Sequence, residues 1–582
     1  MLVKDSLARD GVETSLLDRL LHTSREYVTD PVLKQFLPVP AEMTAQSAKV
    51  AEAEALLHAS LRPDLVSSAQ LARARQYFAL IRKNPTGTIA AGPEKRRDAC
   101  FDKFKGVQKR NRITAKRLKY YFEHPSRMPP LLATLLGEAR EEIYQLLGPG
   151  PSDKDWRRFT RAKVFSNGTV QGLPTCGHPK APKGAKDTTA YGKLDPDATI
   201  TVTRECLQMF GSVFTSGKLG QHLSARNSRI SDGSVGTSVP KDADIDRFIA
   251  VEAYLNGIIQ QGLRAMLEPL LLRWGITLGD QSRNQDLARL ASLLGFSDGG
   301  WATIDLSSAS DTIGEALVAY LLPRRWFELL DAARSKKVVI QGSEVPGYSS
   351  FCTMGNATTF PLQCLIFGSI VRAAVKLTLC DDRTYRVYGD DLIVPTSASA
   401  LVLEGLRFVG FTPNVKKTFI IGFFRESCGG DYLLGDDVTP VVVKKDVQLL
   451  TTKHVTFNLL QRKDPGHPAL HVLYESCSKP LVGPAASSLS VEEGHFESPH
   501  FRLYGKGRTW YDSQEFAIKC KFRSLRSKGF RLRPKGERLL LAYLTSNQLS
   551  DNYDLRGTAR YHVCSVERNL TVQYRLPRYS LV

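Results

Sequence analysis

The sequence predicts an α+β fold, and three of its features lead there. Apolar residues recur at helical spacing through the first 150 positions. Runs rich in β-branched and aromatic residues concentrate between positions 300 and 450, which sets the sheet in the middle of the chain. Charge follows the same division. Residues 301 to 450 hold 15 basic and 16 acidic side chains, while the whole chain carries +20, so the other segments carry +21. A near-neutral block between basic ones suits a reaction centre with its own carboxylates, held between surfaces that grip phosphates. At 582 residues the chain exceeds what one hydrophobic core supports, and three or four packed subdomains are expected.

Composition narrows the class further. With 42% hydrophobic and 24% charged residues, the chain is neither collagen-like, nor a coiled coil, nor wholly disordered. Its 79 Lys and Arg against 59 Asp and Glu call for a polyanionic partner, nucleic acid first. The opening MLVKDSLARDGVETSLL has no apolar stretch of the signal-peptide kind, and no run of about 18 apolar residues occurs, so a cytosolic protein without a membrane role is expected. Ten cysteines without a CxxC pair read as reduced, mostly buried thiols. Cys176-Gly-His178 has no second such pair nearby and is set aside as a metal site.

Along the chain, residues 95 to 119 come first, with eleven Lys or Arg against Asp98 and Asp102, and Phe101, Phe104, Tyr120 and Tyr121 within or beside them. Basic side chains meet phosphates and rings stack bases, so Arg110 and Arg112 are candidate RNA contacts. Breaks in periodicity at 167 to 198, 222 to 240 and 480 to 500 read as loops or joints. A second basic stretch, Lys519 to Arg538, has nine basic residues against Glu537 alone, with Phe522 and Phe530 interleaved. It supplies the candidates Arg526 and Arg531.

The chemistry concentrates in the neutral block. WATIDLSSASDTIGEALVAYLL reads as a strand, Trp301 to Leu306, running into a helix with Ile313, Leu317, Tyr320 and Leu321 on one face. Ser308 and Asp311 have the spacing of a helix cap. Asp305, between Ile304 and Leu306, is costly to bury without a cation or a hydrogen-bonding partner. In RTYRVYGDDLIVPT, β-rich runs at Tyr385 to Tyr388 and Leu392 to Val394 flank Gly389-Asp390-Asp391, a hairpin with two carboxylates at its tip. If Asp305 lies beside that tip in one sheet, three carboxylates converge, and their repulsion favours a hard divalent cation, magnesium first. Two such ions about 4 Å apart can activate a 3′-hydroxyl and stabilise departing pyrophosphate, the template for nucleotidyl transfer. Between the acid sites, Met354-Gly355-Asn356 forms a loop before a helix that Thr358 or Thr359 could cap, with Pro361 in its first turn. Asn356 can hydrogen-bond a 2′-hydroxyl from there.

These pieces, in this order, resemble right-handed RNA-dependent RNA polymerases. The strings VPKDADIDRFIAVE (239 to 252), ATIDLSSASD (302 to 311), MGNATTF (354 to 360), VYGDD (387 to 391), TPNVKKTF (412 to 419) and FRESCGGDY (424 to 432) resemble one branch, the replicase β subunit of the leviviruses, small positive-strand RNA bacteriophages. The resemblance implies a fingers, palm and thumb architecture. Residues 1 to 240 would form the N-terminal region and fingers, 241 to 289 a fingers-to-palm segment, 290 to 450 the palm, and 451 to 582 the thumb and C-terminal region. It implies two Mg2+ ions on Asp305, Asp390 and Asp391. It places the triphosphate at Lys241 and Arg247, and the ribose near Asp311, Gly355, Asn356 and Thr359. Either Lys416 or Lys417, with Lys417 the candidate carried forward, matches the lysine that protonates pyrophosphate. Arg425 matches a contact to the primer backbone, whereas Glu426 and Cys428 read as structural. The implied partners are template and product RNA, ribonucleoside triphosphates, host elongation factors Tu and Ts and a host ribosomal RNA-binding protein, in the cytoplasm of an infected bacterium.

Two other readings compete. A reverse transcriptase also carries a Y-x-D-D turn but calls for a bulky aromatic soon after the first palm aspartate, where this chain has Leu-Ser-Ser-Ala-Ser-Asp. A non-catalytic RNA-binding protein would use the two basic stretches and leave the three aspartates without a purpose.

Overall fold

The computed structural model describes residues 16–34, 37, 67–83, 90–162, 170–172, 199–215, 228–295, 299–380, 384–443, 447–478, 480–484 and 494–498, together with the backbone of strands 509–512, 517–528 and 560–570. The fold is mixed α and β, as expected.

Helices α1 (Leu16–Glu26) and α2 (Ser68–Arg82) open the described chain, the second capped by Ser67, whose hydroxyl accepts from the Gln70 amide. Helix α3 (Pro93–Glu123) holds the first basic stretch. It starts on a proline at N1, where the missing amide costs nothing. Cys100, Phe101, Phe104, Val107, Gln108, Asn111 and Leu118 form its buried side, and most of its lysines and arginines point outward. The rings at 101 and 104 are therefore not surfaces for bases: Phe104 stacks on Phe248 at 3.7 Å, inside a core shared with the neighbouring sheet. Tyr120 is exposed and stacks on His124, while Tyr121 packs on Phe408. Helix α4 (Pro130–Leu147) follows.

Strands β1 (Ser234–Pro240) and β2 (Asp246–Val251) pair antiparallel, from Val235↔Val251 to Pro240↔Asp246. This corrects the expectation of a loop over 222 to 240. The serines and glycines of its second half lie in a ladder, where backbone pairing rather than apolar alternation fixes the strand. After α5 (Tyr254–Leu271) and α6 (Ser282–Leu294) comes β3 (Trp301–Ile304). It is shorter than the strand expected to reach Leu306. The ladder breaks at Asp305, and β4 (Leu306–Ser307) belongs to another sheet. The helix expected beyond it comes in two pieces, Ala309–Thr312 and Glu315–Leu321, split by extended Ile313, which is buried all the same. Ser308 makes no capping hydrogen bond. It sits in the left-handed region, φ 52°, and its carbonyl accepts from Asp311 N and Thr312 Oγ1.

Strand β5 (Val338–Ile340) joins β1 in parallel and completes, with β2 and the short strand Ser343–Glu344, a four-stranded sheet. Helix α7 (Thr359–Leu377) is long and apolar enough to cross a membrane, yet 78% of its apolar window is buried inside this protein. Each fully buried Leu, Ile or Phe along it stabilises the fold by about 1.5 to 3 kcal/mol. Strands β6 (Arg386–Tyr388) and β7 (Asp391–Pro395) form the expected hairpin, and the central sheet runs β3–β7–β6. Ala302, Ile304, Leu392 and Val394 face the main core with α4, α7 and α8 (Thr396–Phe408). Trp301 and Ile393 face α6 on the other side. Burial on both faces explains why these strands read as continuous apolar runs.

Strand β8 (Thr412–Pro413) pairs with β4. Strands β9 (Phe424–Ser427) and β10 (Gly430–Leu433) make a second hairpin, followed by α9 (Leu450–Lys463) and α10 (Ala469–Glu475). Residues of α1 and α2 share one core with Phe424, Leu433, Val438, Val441, Val443, Val447, Leu460 and Leu473. The first two helices thus pack with the chain beyond 424. Of the 480 to 500 stretch, Val482–Pro484 and Phe496–Ser498 pair in parallel. Among the described residues seven cysteines are free thiols, six of them buried.

Candidate active site

The register of the central sheet assembles the site. Leu392 pairs with Ile304 as the last pair of an antiparallel ladder, so Asp391 and Asp305 follow directly at its end, near enough for Asp305 to raise Asp391. Tyr388 pairs with Asp391, which leaves Gly389 and Asp390 as a two-residue loop. Gly389 adopts φ 62°, and a Cβ there would meet the Phe360 ring at 2.5 Å. The buried Cys364 thiol accepts the Gly389 N–H at 3.2 Å and holds the turn from below. Positions 305, 390 and 391 thus lie at one end of the central sheet, near enough for Asp390 and Asp305 to act on the Asp391 charge.

A second strip of chain borders them. Thr303 and Phe419 exchange backbone hydrogen bonds of 3.0 and 2.8 Å, so residues 414 to 419 run along the free edge of β3. Asn414 grips Asp305 twice, its backbone N–H to the Asp305 carbonyl at 2.8 Å and its Nδ2 to Oδ2 at 2.7 Å. Of the two adjacent lysines, Lys416 is exposed, and Lys417 turns inward and donates from Nζ to Glu426 Oε1.

Electrostatics mark this cluster. Burial raises the Asp305 carboxyl above its ordinary range, and Asp390 and Glu426 add to that against Lys417 and the Asn414 amide. Asp390 is raised by burial, with Arg247, Lys241 and Lys417 opposing. Asp391 is pushed up to about 7 by burial and by Asp390, with Asp305 and Glu426 adding. Among the described residues none of the three makes an ion pair with a lysine or arginine, whereas Glu426 and Asp431 both do. Lys417 shows the reverse balance: burial pulls its pKa down, but Glu426, Asp305 and Asp431 outweigh that and hold the ammonium above its usual value.

As they stand, no three acidic, histidine or cysteine side chains among the described residues are close enough to share a metal ion. The donor set nevertheless fits one. Hard carboxylate oxygens with uncompensated, partly buried charge are what Mg2+ takes, and a cation would relieve the repulsion that raises Asp391.

Cations face the acids from the neighbouring sheet. Lys241 lies in the turn between β1 and β2, a turn tied by Asp242 Oδ1, which accepts from Asp244 N and Ile245 N at 3.0 Å. Lys241 is exposed at its surface, yet desolvation and the like charges of Lys103, Arg247 and Lys83 draw its pKa down, with Asp242 opposing. Arg247 projects from β2 between buried Asp246, held by Arg96 at 3.2 Å, and buried Phe248. Asp311 is pushed up to about 7 by burial, opposed chiefly by Lys103 and then by Ser310 and Arg247.

The 354 to 359 loop packs onto the same strand. Gly355 has φ 117°, and a Cβ there would lie 2.0 Å from the Ala250 carbonyl oxygen, so only glycine allows this approach. Asn356 is buried, and its Oδ1 accepts from the Thr358 N–H and hydroxyl. Thr359 Oγ1 donates to the Thr353 carbonyl at 2.7 Å. Thr358 occupies the N-cap position of α7 without capping it.

The RNA candidates separate. Arg110 and Arg112 lie exposed on α3, with Arg112 reaching the Pro346 carbonyl at 3.5 Å. Arg425 is corrected. Fully buried, it donates to the carbonyls of Trp301, Gly295, Gly422, Phe424 and Ile420, clamping strands together where no RNA reaches. Arg526 lies in the strand Ala517–Lys528, described by its backbone, and Arg531 lies outside the described residues. Sequence reasoning passed over Asn414, gave Glu426 only a structural role, and passed over Lys103 and Cys364. The first two stood inside quoted motifs, but nothing local says which side chain each one meets.

The chain matches the family described as RNA replicase, beta-chain, over residues 47–467. It is 34% identical over 367 residues to the RNA-directed RNA polymerase subunit beta of Enterobacteria phage SP, covering 62% of this chain and 60% of that one. It is 36% identical over 306 residues to the subunit of the same description in Escherichia virus Qbeta, covering 53% and 48%. With the RNA-directed RNA polymerase beta chain of Escherichia phage MS2 it shares 41% identity over 292 residues, 48% of this chain and 51% of that one. The matches therefore span about half to three fifths of these relatives' length. The RNA-dependent RNA polymerase of BmCPV in its elongation state is a distant structural likeness, with TM-score 0.38 and 12% identity over 61% of this chain and 34% of that one. With residues 47–467, most of its own length, matching that family, the chain belongs to the RNA replicase beta-chain family.

Proposed function

We propose that this chain is the catalytic subunit of a phage replicase, an RNA-dependent RNA polymerase that copies a viral RNA template from ribonucleoside triphosphates. The observation that carries the reading is the end of the β3–β7 ladder at Leu392↔Ile304, where Asp391 and Asp305 follow directly and Asp390 stands in the adjoining turn. In this reading α3 with the β2–β1–β5 sheet forms the fingers, the β3–β7–β6 sheet with α7 and α8 the palm, and α9 and α10 the thumb, where α1 and α2 join them.

Two divalent ions, Mg2+, on Asp305, Asp390 and Asp391 would supply activation of the 3′-hydroxyl and stabilisation of the charge on leaving pyrophosphate. The chain's own groups do the rest. Lys241 and Arg247 offset triphosphate charge, and Lys103 extends that basic surface. Lys417, held protonated by its acidic neighbours, donates a proton to the departing pyrophosphate. Asp311, with a pKa near neutrality, accepts or donates a hydrogen bond at the ribose. The loop leaves Asn356 Nδ2 to donate to a 2′-hydroxyl, while Gly355 and Thr359 fix the loop's shape. Arg110 and Arg112, with the C-terminal Arg526 and Arg531, hold RNA phosphates. The resemblance supplies the partners, host elongation factors Tu and Ts and a ribosomal RNA-binding protein, and the bacterial cytoplasm as the place.

Asp390→Asn tests the core of this. Nucleotide addition on a primed RNA template is expected to fall by more than about a thousandfold, with RNA affinity nearly unchanged. Retained synthesis would remove the metal argument, and a preference for deoxyribonucleotides would favour reverse transcription.

A further inference from the structure

We propose that Glu426 is the positioning residue of Lys417: it selects which of the two adjacent lysines enters the site and keeps that ammonium off Asp305. The proposal deepens the polymerase reading and rests on it. Its ground is the second hairpin. The β9–β10 register sets Glu426 directly opposite Asp431, two like charges side by side on one face. Such a pair is unfavourable unless each carboxylate finds its own cation. Here each does. Arg75, from α2, donates to Asp431 Oδ2 from behind, both side chains 7% exposed, so that acid has its cation. Glu426 is left to Lys417, with side-chain exposures of 19% and 41%, at the edge where the cluster opens to solvent.

The consequence for chemistry follows from competition. Lys417 feels Glu426 most strongly among its acidic neighbours, then Asp305, then Asp431. With Glu426 neutral and Asp431 already taken by Arg75, Asp305 becomes the strongest remaining attraction. The ammonium would then settle on Asp305, which Asn414 holds in place from the same strip of chain. That would withdraw both a proton donor from the leaving group and a carboxylate from its cation. Glu426 is not placed on the substrate, and its effect on the rate is expected through Lys417, its ion-pair partner, beside the smaller push it adds to Asp305 and Asp391.

A double-mutant cycle decides the matter on the full chain, purified with whatever host proteins accompany it and read by single-turnover nucleotide addition at varied nucleotide concentration. Lys417→Met is expected to slow the maximal rate by about a hundredfold, within the range for losing a general acid. Glu426→Gln should slow it by about tenfold, each with little change in apparent nucleotide affinity. The double variant should be no slower than Lys417→Met alone. Losses that multiply to about a thousandfold, or an unaltered Glu426→Gln rate, would overturn the proposal. If Glu426→Gln does not fold, Glu426→Asp, which withdraws the charge by one methylene, enters the same cycle. An unsubstituted protein that adds no nucleotide at all would instead count against the polymerase reading.

Discussion

Two neighbouring hairpins, β6–β7 and β9–β10, have much the same build and treat their acids in opposite ways. Each is a tight antiparallel turn containing glycine, and each brings carboxylates to the same corner of the molecule. In the second, Glu426 pairs with Lys417 and Asp431 with Arg75. In the first, Asp390 and Asp391 make no ion pair among the described residues, and burial together with mutual repulsion pushes Asp391 up to about 7. The backbone is the same device twice, and the partners separate a structural hairpin from a reactive one. Charge left uncompensated inside a fold is a cost carried for function.

That contrast can be broken or sharpened by substitution. The largest effect on stability is expected at the paired hairpin. Asp431→Asn removes the carboxylate that pairs with the buried Arg75 guanidinium and should cost about 3 to 5 kcal/mol in chemical denaturation. The opposite sign is expected at the reactive hairpin. Asp391→Asn removes a repelled charge and should stabilise the fold by about 1 to 2 kcal/mol without divalent ions, after allowance for its partial exposure, while abolishing synthesis. If both substitutions destabilise alike, the distinction between the hairpins fails.

Glu252 tests the intermediate case, a buried carboxyl with a hydrogen bond from Ser335 Oγ and no ion pair among the described residues. Burial pushes it up to about 7, with Ser335, Gln260 and Arg334 opposing. The folded protein therefore holds this proton more tightly than the unfolded chain does. Below the ordinary carboxylate pKa both states are protonated and nothing is lost. As pH climbs toward 7 the unfolded chain releases its proton first, and stability falls. Glu252→Gln should accordingly gain about 2 kcal/mol over the unsubstituted chain at pH 8 and almost nothing at pH 4, measured by thermal unfolding at each pH.

Much of the reactive hairpin was legible before any coordinates. A β-rich run, a glycine suited to a tight turn and a second β-rich run lie within ten residues, and Asp305 stood out as an acid in an apolar strand. The four-stranded sheet was less legible, because β1 is rich in serine and glycine and owes its form to backbone pairing with β2 and β5. Phe101 and Phe104 read as stacking surfaces because their neighbours are basic. On a helix, residues three and four apart share a face, and that face meets Phe248. Arg425 looked like an RNA contact because its motif resembles a turn that supports the primer strand, and a basic residue in a motif gives no sign that carbonyls surround it.

By itself, the sequence determined what lies within a few residues: the turn at Gly389, the split between apolar strands and basic flanks, and the acids that chemistry requires. Tertiary structure alone decided pairings such as Arg75 with Asp431, Lys417 rather than Lys416 with Glu426, and α1 and α2 with the chain beyond 424. Turn and strand preferences are properties of neighbouring backbone, whereas the partner of a buried charge is chosen by whichever distant element the packed core delivers beside it.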